Sequence, residues 1–140
     1  MLLKNLIRSV PSNKKNIIIS GISVNSKEVK KNNIFFAIKG NKINGEKFIK
    51  EAIKRGAKVV VCSKTCNFKS KNILVIKTDD IRFFLSEICS KFYTHKPKNI
   101  IAVTGTNGKT SVADLFYQIL TINNIPVASI GTFGIKYRNK

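Results

Sequence analysis

The chain is poor in several residues that mark particular protein classes: its 140 residues include no tryptophan, one histidine and three cysteines. An odd number of cysteines argues against a disulfide framework. Cys62 and Cys66 have no second cysteine or histidine pair to complete a tetrahedral zinc site. His95 lies in a polar stretch beside Pro97, so it is interpreted as a linker residue and not as a metal ligand. The cysteines are therefore predicted to be reduced thiols.

Long apolar runs are absent from the sequence as well. No stretch approaches the roughly 18 uninterrupted apolar residues of a membrane span. The N-terminal apolar residues are too few, and too interrupted by Lys4 and Arg8, for a signal peptide. With 43% hydrophobic residues the chain can still bury a core, either in one domain or in two small ones. We therefore expect a cytoplasmic protein without membrane insertion.

Acidic residues are also scarce, since 7 Asp and Glu stand against 26 Lys and Arg and give a formal net charge of +19. Such a charge is compatible with nucleic-acid or acidic-membrane binding. However, the lysines are spread along the chain, and no recognisable nucleic-acid module accompanies them. Compositional drift explains the charge better, and no nucleic-acid partner is predicted. The positive field would still attract anionic nucleotides.

The most informative stretch is a glycine-containing loop at residues 105–111. It follows an apolar, β-branched run at 100–104 and precedes apolar residues at helical spacing. That order is the context of a phosphate-binding loop, in which backbone N–H groups and a helix N-terminus face the phosphates. Lys109 would reach the outer phosphates, and the Thr110 hydroxyl would bind Mg²⁺. The predicted ATP-binding residues are Gly105, Thr106, Asn107, Gly108, Lys109, Thr110 and Ser111.

The remaining pattern predicts an α/β chain in two parts. Residues 1–95 form a small mixed α/β domain, 96–98 a linker, and 99–140 the start of a parallel-sheet domain. In the first part, strands are predicted at 22–26, 34–38, 59–62 and 73–76, and helices at 45–55 and 81–92. In the second part, strands at 100–104 and 127–130 flank a helix at 110–122. These three elements predict one right-handed parallel βαβ unit.

Several motifs occur in an order that resembles the Mur ligases, ATP-dependent enzymes of peptidoglycan precursor synthesis, and especially their tripeptide synthetases. The family loop Thr-Gly-Thr-Asn-Gly-Lys-Thr is present unchanged at 104–110. The family's Asp-Ser-Arg, Phe-x-Ala-x-x-Gly, Asp-Gly-x-x-Phe-Ile, Ala-x-x-x-Gly-Ala and Ile-Gly-Thr segments are matched, with substitutions, at 25–27, 36–40, 44–49, 52–57 and 130–132.

This resemblance implies a UDP-substrate pocket in the first domain and an ATP site in the second. The implied uridine-binding residues are Val24, Ser26, Asn41, Lys42 and Ile43. A hydroxyl and backbone groups can read a uracil edge while an apolar side chain covers its face. The chain departs from the family pattern at the Asp and Arg that flank the serine and at the Asp of the third motif, where it has Asn25, Lys27 and Asn44.

The resemblance also implies the reaction and its participants. The γ-phosphoryl group of ATP would pass to the D-glutamyl carboxylate of UDP-N-acetylmuramoyl-L-alanyl-D-glutamate, and an amino acid, meso-diaminopimelate or lysine, would displace it. Lys109 and Thr110 would be the catalytic residues, with Thr110 binding Mg²⁺. We expect these 140 residues to be inactive alone, as a gene fragment, a truncated chain or half of a split protein completed by a second polypeptide. The alternatives are a fragment of the sister ligase that adds D-Ala-D-Ala, or a non-catalytic module that binds a UDP-sugar or nucleotide.

Overall fold

The computed structural model describes residues 1–40 and 43–137. The chain divides into two compact units, the first spanning Met1–Lys96 and the second beginning at Pro97. None of the helices in the described ranges is long and apolar enough to cross a bilayer.

The first unit is built on a four-stranded sheet in the order β1-β2-β3-β4, with every neighbouring pair parallel. Its strands are β1 Gly21–Ser23, β2 Asn33–Phe36, β3 Val59–Ser63 and β4 Leu74–Thr78. The four predicted strands are therefore confirmed, with shifted ends. Because all strands run the same way, the loops that follow β1, β2 and β3 meet at one edge of the sheet.

Helices cover both faces of this sheet. On one face Phe36, Val59 and Val61 pack in a cluster that includes residues of α1 (Leu3–Leu6) and α3 (Ile81–Phe92). On the other face Phe35 and Val60 pack with residues of α2 (Ile49–Lys54). A parallel sheet buried on both sides requires apolar residues at successive positions, which is why β2 and β3 read as continuous apolar runs in the sequence.

Some helical segments of the first unit begin at a short polar side chain. Asp80 caps α3, and its carboxylate accepts hydrogen bonds from the N–H groups of Arg82 and Phe83, both at 2.9 Å. The predicted helix at 45–55 forms as a 3₁₀ turn, Gly45–Phe48, followed by α2. The strand predicted at 22–26 is shorter than expected, because a second 3₁₀ turn, Ser26–Glu28, begins after Asn25.

The second unit contains α4 (Lys109–Ile122) and the strands β5 (Ala128–Gly131) and β6 (Gly134–Tyr137). The predicted helix and second strand are confirmed, but the strand at 100–104 and the parallel βαβ unit are wrong. β5 pairs with β6 in an antiparallel hairpin, and residues 101–104 have no strand assignment. A strand needs a hydrogen-bonded neighbour, and none of the described strands pairs with this stretch, in which Ile100 and Ile101 are exposed.

Candidate functional site

The predicted phosphate loop leads directly into the N-terminus of α4. Gly108 is the N-cap residue and has a left-handed backbone with φ of +75°, a conformation that glycine adopts without strain. The first hydrogen bond inside the helix runs from the Val112 N–H to the Gly108 carbonyl, at 2.9 Å. The N–H groups of residues 109–111 therefore precede the helical ladder and are available to an anion.

The Lys109 side chain folds back over this loop. Its ammonium donates hydrogen bonds to the carbonyl oxygens of Gly105, at 2.5 Å, and Thr106, at 2.9 Å. Lys109 is exposed, and its flexible stem and three N–H donors allow the ammonium to exchange a carbonyl partner for a phosphate oxygen. The arrangement thus places a cation and free backbone donors at one helix end.

Thr110 lines a small cavity between α4 and the β5–β6 hairpin, together with Asp114, Ser129, Thr132 and Lys136. The Asp114 carboxylate accepts hydrogen bonds from Lys136 and, at 2.8 Å, from the Gln118 amide. Both hydrogen bonds lower the pKa of Asp114 below its usual range, and the bond from Lys136 has the larger effect. The cavity measures about 30 Å³, enough for about two water molecules. A nucleotide phosphate would therefore bind outside it, over the loop.

The Asp114–Lys136 pair was not among the sequence predictions. Asp114 follows Thr110 by four residues, so helical spacing alone places both side chains on one face of α4. That signal was available in the sequence. Lys136 could not be found in the same way, because its position depends on the antiparallel pairing of β6 with β5.

The residues predicted to bind uridine follow the carboxyl ends of β1 and β2. Val24 comes directly after β1 and is exposed, whereas Ser26 is only 6% exposed. Ile43 lies in the loop after β2 and is exposed. Asn41 and Lys42 lie outside the described residues. The described candidates therefore lie in segments at the carboxyl edge of the sheet, where residues outside the strands can contact a ligand while the rigid sheet positions them.

The buried hydroxyl of Ser26 is already engaged by α2. It donates a hydrogen bond of 2.8 Å to one carboxylate oxygen of Glu51, and the other oxygen accepts a bond of 3.3 Å from Arg55 Nε. The hydrogen bond from Ser26 is the largest cause of a lowered pKa at Glu51, to which the hydrogen bond and charge of Arg55 also contribute. Glu51 is therefore an ionised carboxylate that is hydrogen-bonded to Ser26, a predicted ligand-binding residue. The sequence predictions did not include Glu51.

Asn25 and Asn44, two of the departures from the family motifs, both act as helix caps. The side-chain oxygen of Asn25 accepts a hydrogen bond of 3.1 Å from the Lys27 N–H. That of Asn44 accepts one of 3.0 Å from the Glu46 N–H. Asparagine and aspartate are about equally good at this position, so both substitutions preserve the local turn.

A further carboxylate missed by the sequence predictions holds the loop after β2. One oxygen of Glu46 accepts hydrogen bonds from both the N–H, at 3.2 Å, and the hydroxyl, at 2.6 Å, of Ser63 at the end of β3. The backbone N–H of Gly45 donates to the Ile38 carbonyl, at 3.0 Å. These contacts fix both ends of the loop that carries Ile43.

Residues 18–93 match the family model described as "Mur ligase family, catalytic domain", and this match covers more than half of the chain. The chain belongs to the Mur ligase family.

Its relatives are much longer. A "UDP-N-acetylmuramoyl-L-alanyl-D-glutamate--2,6-diaminopimelate ligase" from Rickettsia montanensis is 42% identical over 118 residues, which are 84% of this chain and 24% of that protein. The corresponding "ligase 2" from Clostridium acetobutylicum is 36% identical over 141 aligned positions, which are 99% of this chain and 29% of the relative. The chain thus spans about a quarter of the length of the curated relatives it matches.

Solved structures share the fold. The MurF ligase of Thermotoga maritima in complex with ADP matches with a TM-score of 0.60 and 25% identity over 77% of this chain and 25% of its own. The structure of a UDP-N-acetylmuramoyl-L-alanyl-D-glutamate--2,6-diaminopimelate ligase matches over this whole chain and 29% of its own, with a TM-score of 0.75. At 24% identity the latter similarity concerns the fold alone.

Proposed function

We propose that these residues form the UDP-substrate-binding part and the ATP-phosphate-binding loop of an amide ligase of peptidoglycan precursor synthesis. The observation that carries the proposal is the loop before α4, where Gly108 caps the helix, the N–H groups of 109–111 precede the helical ladder, and the Lys109 ammonium is hydrogen-bonded to the loop carbonyls of Gly105 and Thr106. The activity named for the relatives supports UDP-N-acetylmuramoyl-L-alanyl-D-glutamate as the acceptor and 2,6-diaminopimelate as the amino acid added.

The donor set at α4 suits ATP. Backbone N–H groups and an ammonium are the groups that bind phosphate oxygens at a helix N-terminus. The ADP-bound Thermotoga maritima relative supports a nucleotide at this site. The donor chemistry also fits Mg²⁺, which prefers oxygen ligands and needs only one or two from the protein when phosphates supply the others. Thr110 would hold the ion, and bound Mg²⁺ would neutralise charge on the phosphates.

In the proposed reaction the γ-phosphoryl group of ATP passes to the D-glutamyl carboxylate, giving an acyl phosphate and ADP. The amine of the incoming amino acid then attacks the acyl carbon, and phosphate leaves. Lys109 and the loop N–H groups would stabilise the charge on the transferring phosphoryl group. The uridine part would be bound at the carboxyl edge of the first unit, by Val24, Ser26 and Ile43 among the described residues.

Ligation also requires groups that select the amino acid and contact the adenine. We propose that polypeptide outside these 140 residues supplies them, in the same chain or in a second one, because the match covers only 24% of the relative's length. The substrates and the free cysteines both suit a reducing cytoplasm, which is the proposed location.

The proposal is tested by titrating the chain with Mg·ATP in an isothermal calorimeter, using the wild type and Lys109→Met. Removing one charge-assisted hydrogen bond should weaken binding by about tenfold to a hundredfold. Lys98→Met, which removes another exposed lysine of the second unit, is the matched control and should leave the affinity unchanged. Equal losses in both variants would show that ATP responds only to the overall positive charge.

A thermal-shift titration with UDP-N-acetylmuramoyl-L-Ala-D-Glu tests the other half of the proposal, with duplex DNA as a second ligand. A ligand that binds only the folded state adds about 2.7 kcal/mol at a hundredfold excess over Kd. We expect a saturable shift with the UDP precursor and none with DNA at moderate salt. A shift with DNA alone would favour a nucleic-acid-binding function and overturn the proposed one.

A further inference from the structure

The hydrogen bond between Ser26 and Glu51 fixes which way the Ser26 proton points. A serine hydroxyl has one proton to donate and two lone pairs with which to accept. Glu51 is ionised near neutral pH, and an ionised carboxylate can only accept. The proton of Ser26 is therefore directed to Glu51, at a donor–acceptor distance of 2.8 Å. What Ser26 retains for any other partner is its lone pairs.

The residues around Ser26 and Glu51 keep the Ser26 hydroxyl as the donor and the Glu51 carboxylate as the acceptor. Arg55 donates to the second oxygen of Glu51, and the charge of Lys27 also favours the ionised carboxylate. Ser26 is fixed in place as the first residue of a 3₁₀ turn capped by Asn25 and is almost fully buried. Its hydroxyl oxygen is thus held in one place with one orientation, and a ligand bound beside β1 would meet a hydrogen-bond acceptor.

We propose that Glu51 is a positioning residue that makes Ser26 a hydrogen-bond acceptor and thereby selects uracil over cytosine. This inference rests on the proposed uridine site. The two bases differ in the polarity of the Watson–Crick edge. Uracil carries a proton on N3 and can donate it to Ser26, whereas cytosine N3 is unprotonated and can only accept. With cytosine, two acceptors would face each other, which leaves buried polar groups without partners and costs affinity.

The test is to measure Kd for UDP and CDP by calorimetry at neutral pH on the full chain, as the wild type, Glu51→Gln and Ser26→Ala. The wild type should bind UDP at least tenfold more tightly than CDP. In Glu51→Gln the amide oxygen would stay with Arg55 and the amide NH₂ would turn to Ser26. Ser26 would then accept from the glutamine and could donate its proton to cytosine N3. The preference for UDP should fall at least fivefold, mainly through tighter CDP binding.

Glu28→Gln is the matched control, because Glu28 is a nearby carboxylate that accepts a hydrogen bond from the Asn25 amide and not from Ser26. It should keep the wild-type ratio of the two Kd values. Ser26→Ala should bind both nucleotides with nearly equal affinity. Glu51→Ala serves as a second variant should the glutamine not fold, and it too should lose the preference, because it frees the serine proton.

The outcomes separate this inference from the function on which it rests. If the wild type prefers UDP and Glu51→Gln keeps the same ratio, Glu51 has only a structural role and the inference is overturned, while the uridine site stands. If the wild type binds neither nucleotide, the uridine site itself is wrong, and the Mg·ATP titration of Lys109→Met still reports independently on the phosphate loop. A uniform weakening of UDP and CDP in Glu51→Gln would also contradict selective positioning.

Discussion

Gly45 is the position at which a single methyl group should disturb the candidate uridine site most directly. It begins the 3₁₀ turn Gly45–Phe48 and lies against the backbone that directly follows β2. A Cβ atom added there would be 2.5 Å from the carbonyl oxygen of Ile38 and 2.8 Å from its nitrogen. Both atoms belong to the backbone, so no side chain can move aside. Gly45→Ala must therefore displace the loop that carries Ile43.

The expected cost follows from these contacts. Overpacking typically costs about 1–3 kcal/mol, and weakening the hydrogen bond from Gly45 N–H to Ile38 O adds about 0.5–1.5 kcal/mol. The lower backbone entropy of alanine in the unfolded chain offsets about 0.4–1 kcal/mol. We expect a net loss of about 1–4 kcal/mol, at roughly 4–8 °C in Tm for each kcal/mol in a unit of this size.

The assay is urea denaturation followed by far-UV circular dichroism, together with UDP titration of the folded protein. Gly45→Ala should lower the unfolding midpoint and weaken UDP binding. The control is Gly131→Ala, since a Cβ at Gly131 would meet no atom within 4 Å. It should change neither quantity. A Gly45→Ala protein with the wild-type midpoint and the wild-type UDP affinity would refute the close approach of the loop to Ile38.

Three other predictions concern groups whose contacts are described above. Asn44→Ala should destabilise the first unit by about 0.5–2 kcal/mol through loss of the cap, and Asn44→Asp by much less, as measured by urea midpoints; equal losses would contradict the capping role. The pKa of Glu51 lies below its usual 4.5, so its stabilising contacts are present above that pH and are lost as pH falls through the lowered pKa. The stability difference between wild type and Glu51→Gln should therefore shrink on acidification, and a constant difference would argue against the ionised pair. Burial raises the pKa of the Cys62 thiol to about 12, so peptide mapping should find it unlabelled by thiol reagents at neutral pH until the protein unfolds; fast labelling of the native protein would contradict this.

The first unit was predictable because its signals are local. Continuous apolar runs such as those around Phe35 and Val60 indicate strands buried on both faces, and the sheet has that arrangement. Asp80 before an apolar helical pattern marked the start of α3. In each case the residues that form the element lie within a few positions of one another, so spacing alone carries the information.

The second unit was less predictable because its pairing is not local. The apolar run at 100–104 has the composition of a strand, but a strand also needs a partner, and composition does not specify one. The same limit hid Lys136, whose contact with Asp114 depends on the register of β6 against β5. The loop at 105–111 was identifiable from sequence because its glycines and lysine act within one turn of α4.

The structure explains how the chain tolerates its departures from the family motifs at Asn25, Lys27 and Asn44. Replacing aspartate by Asn25 and Asn44 removes two charges but retains both capping hydrogen bonds. Lys27, which stands where the family has arginine, donates its backbone N–H to the side chain of Asn25. Any residue except proline could make this contact. The turns that present Ser26 and Ile43 are therefore preserved. The fold of the site therefore does not depend on the two missing carboxylate charges.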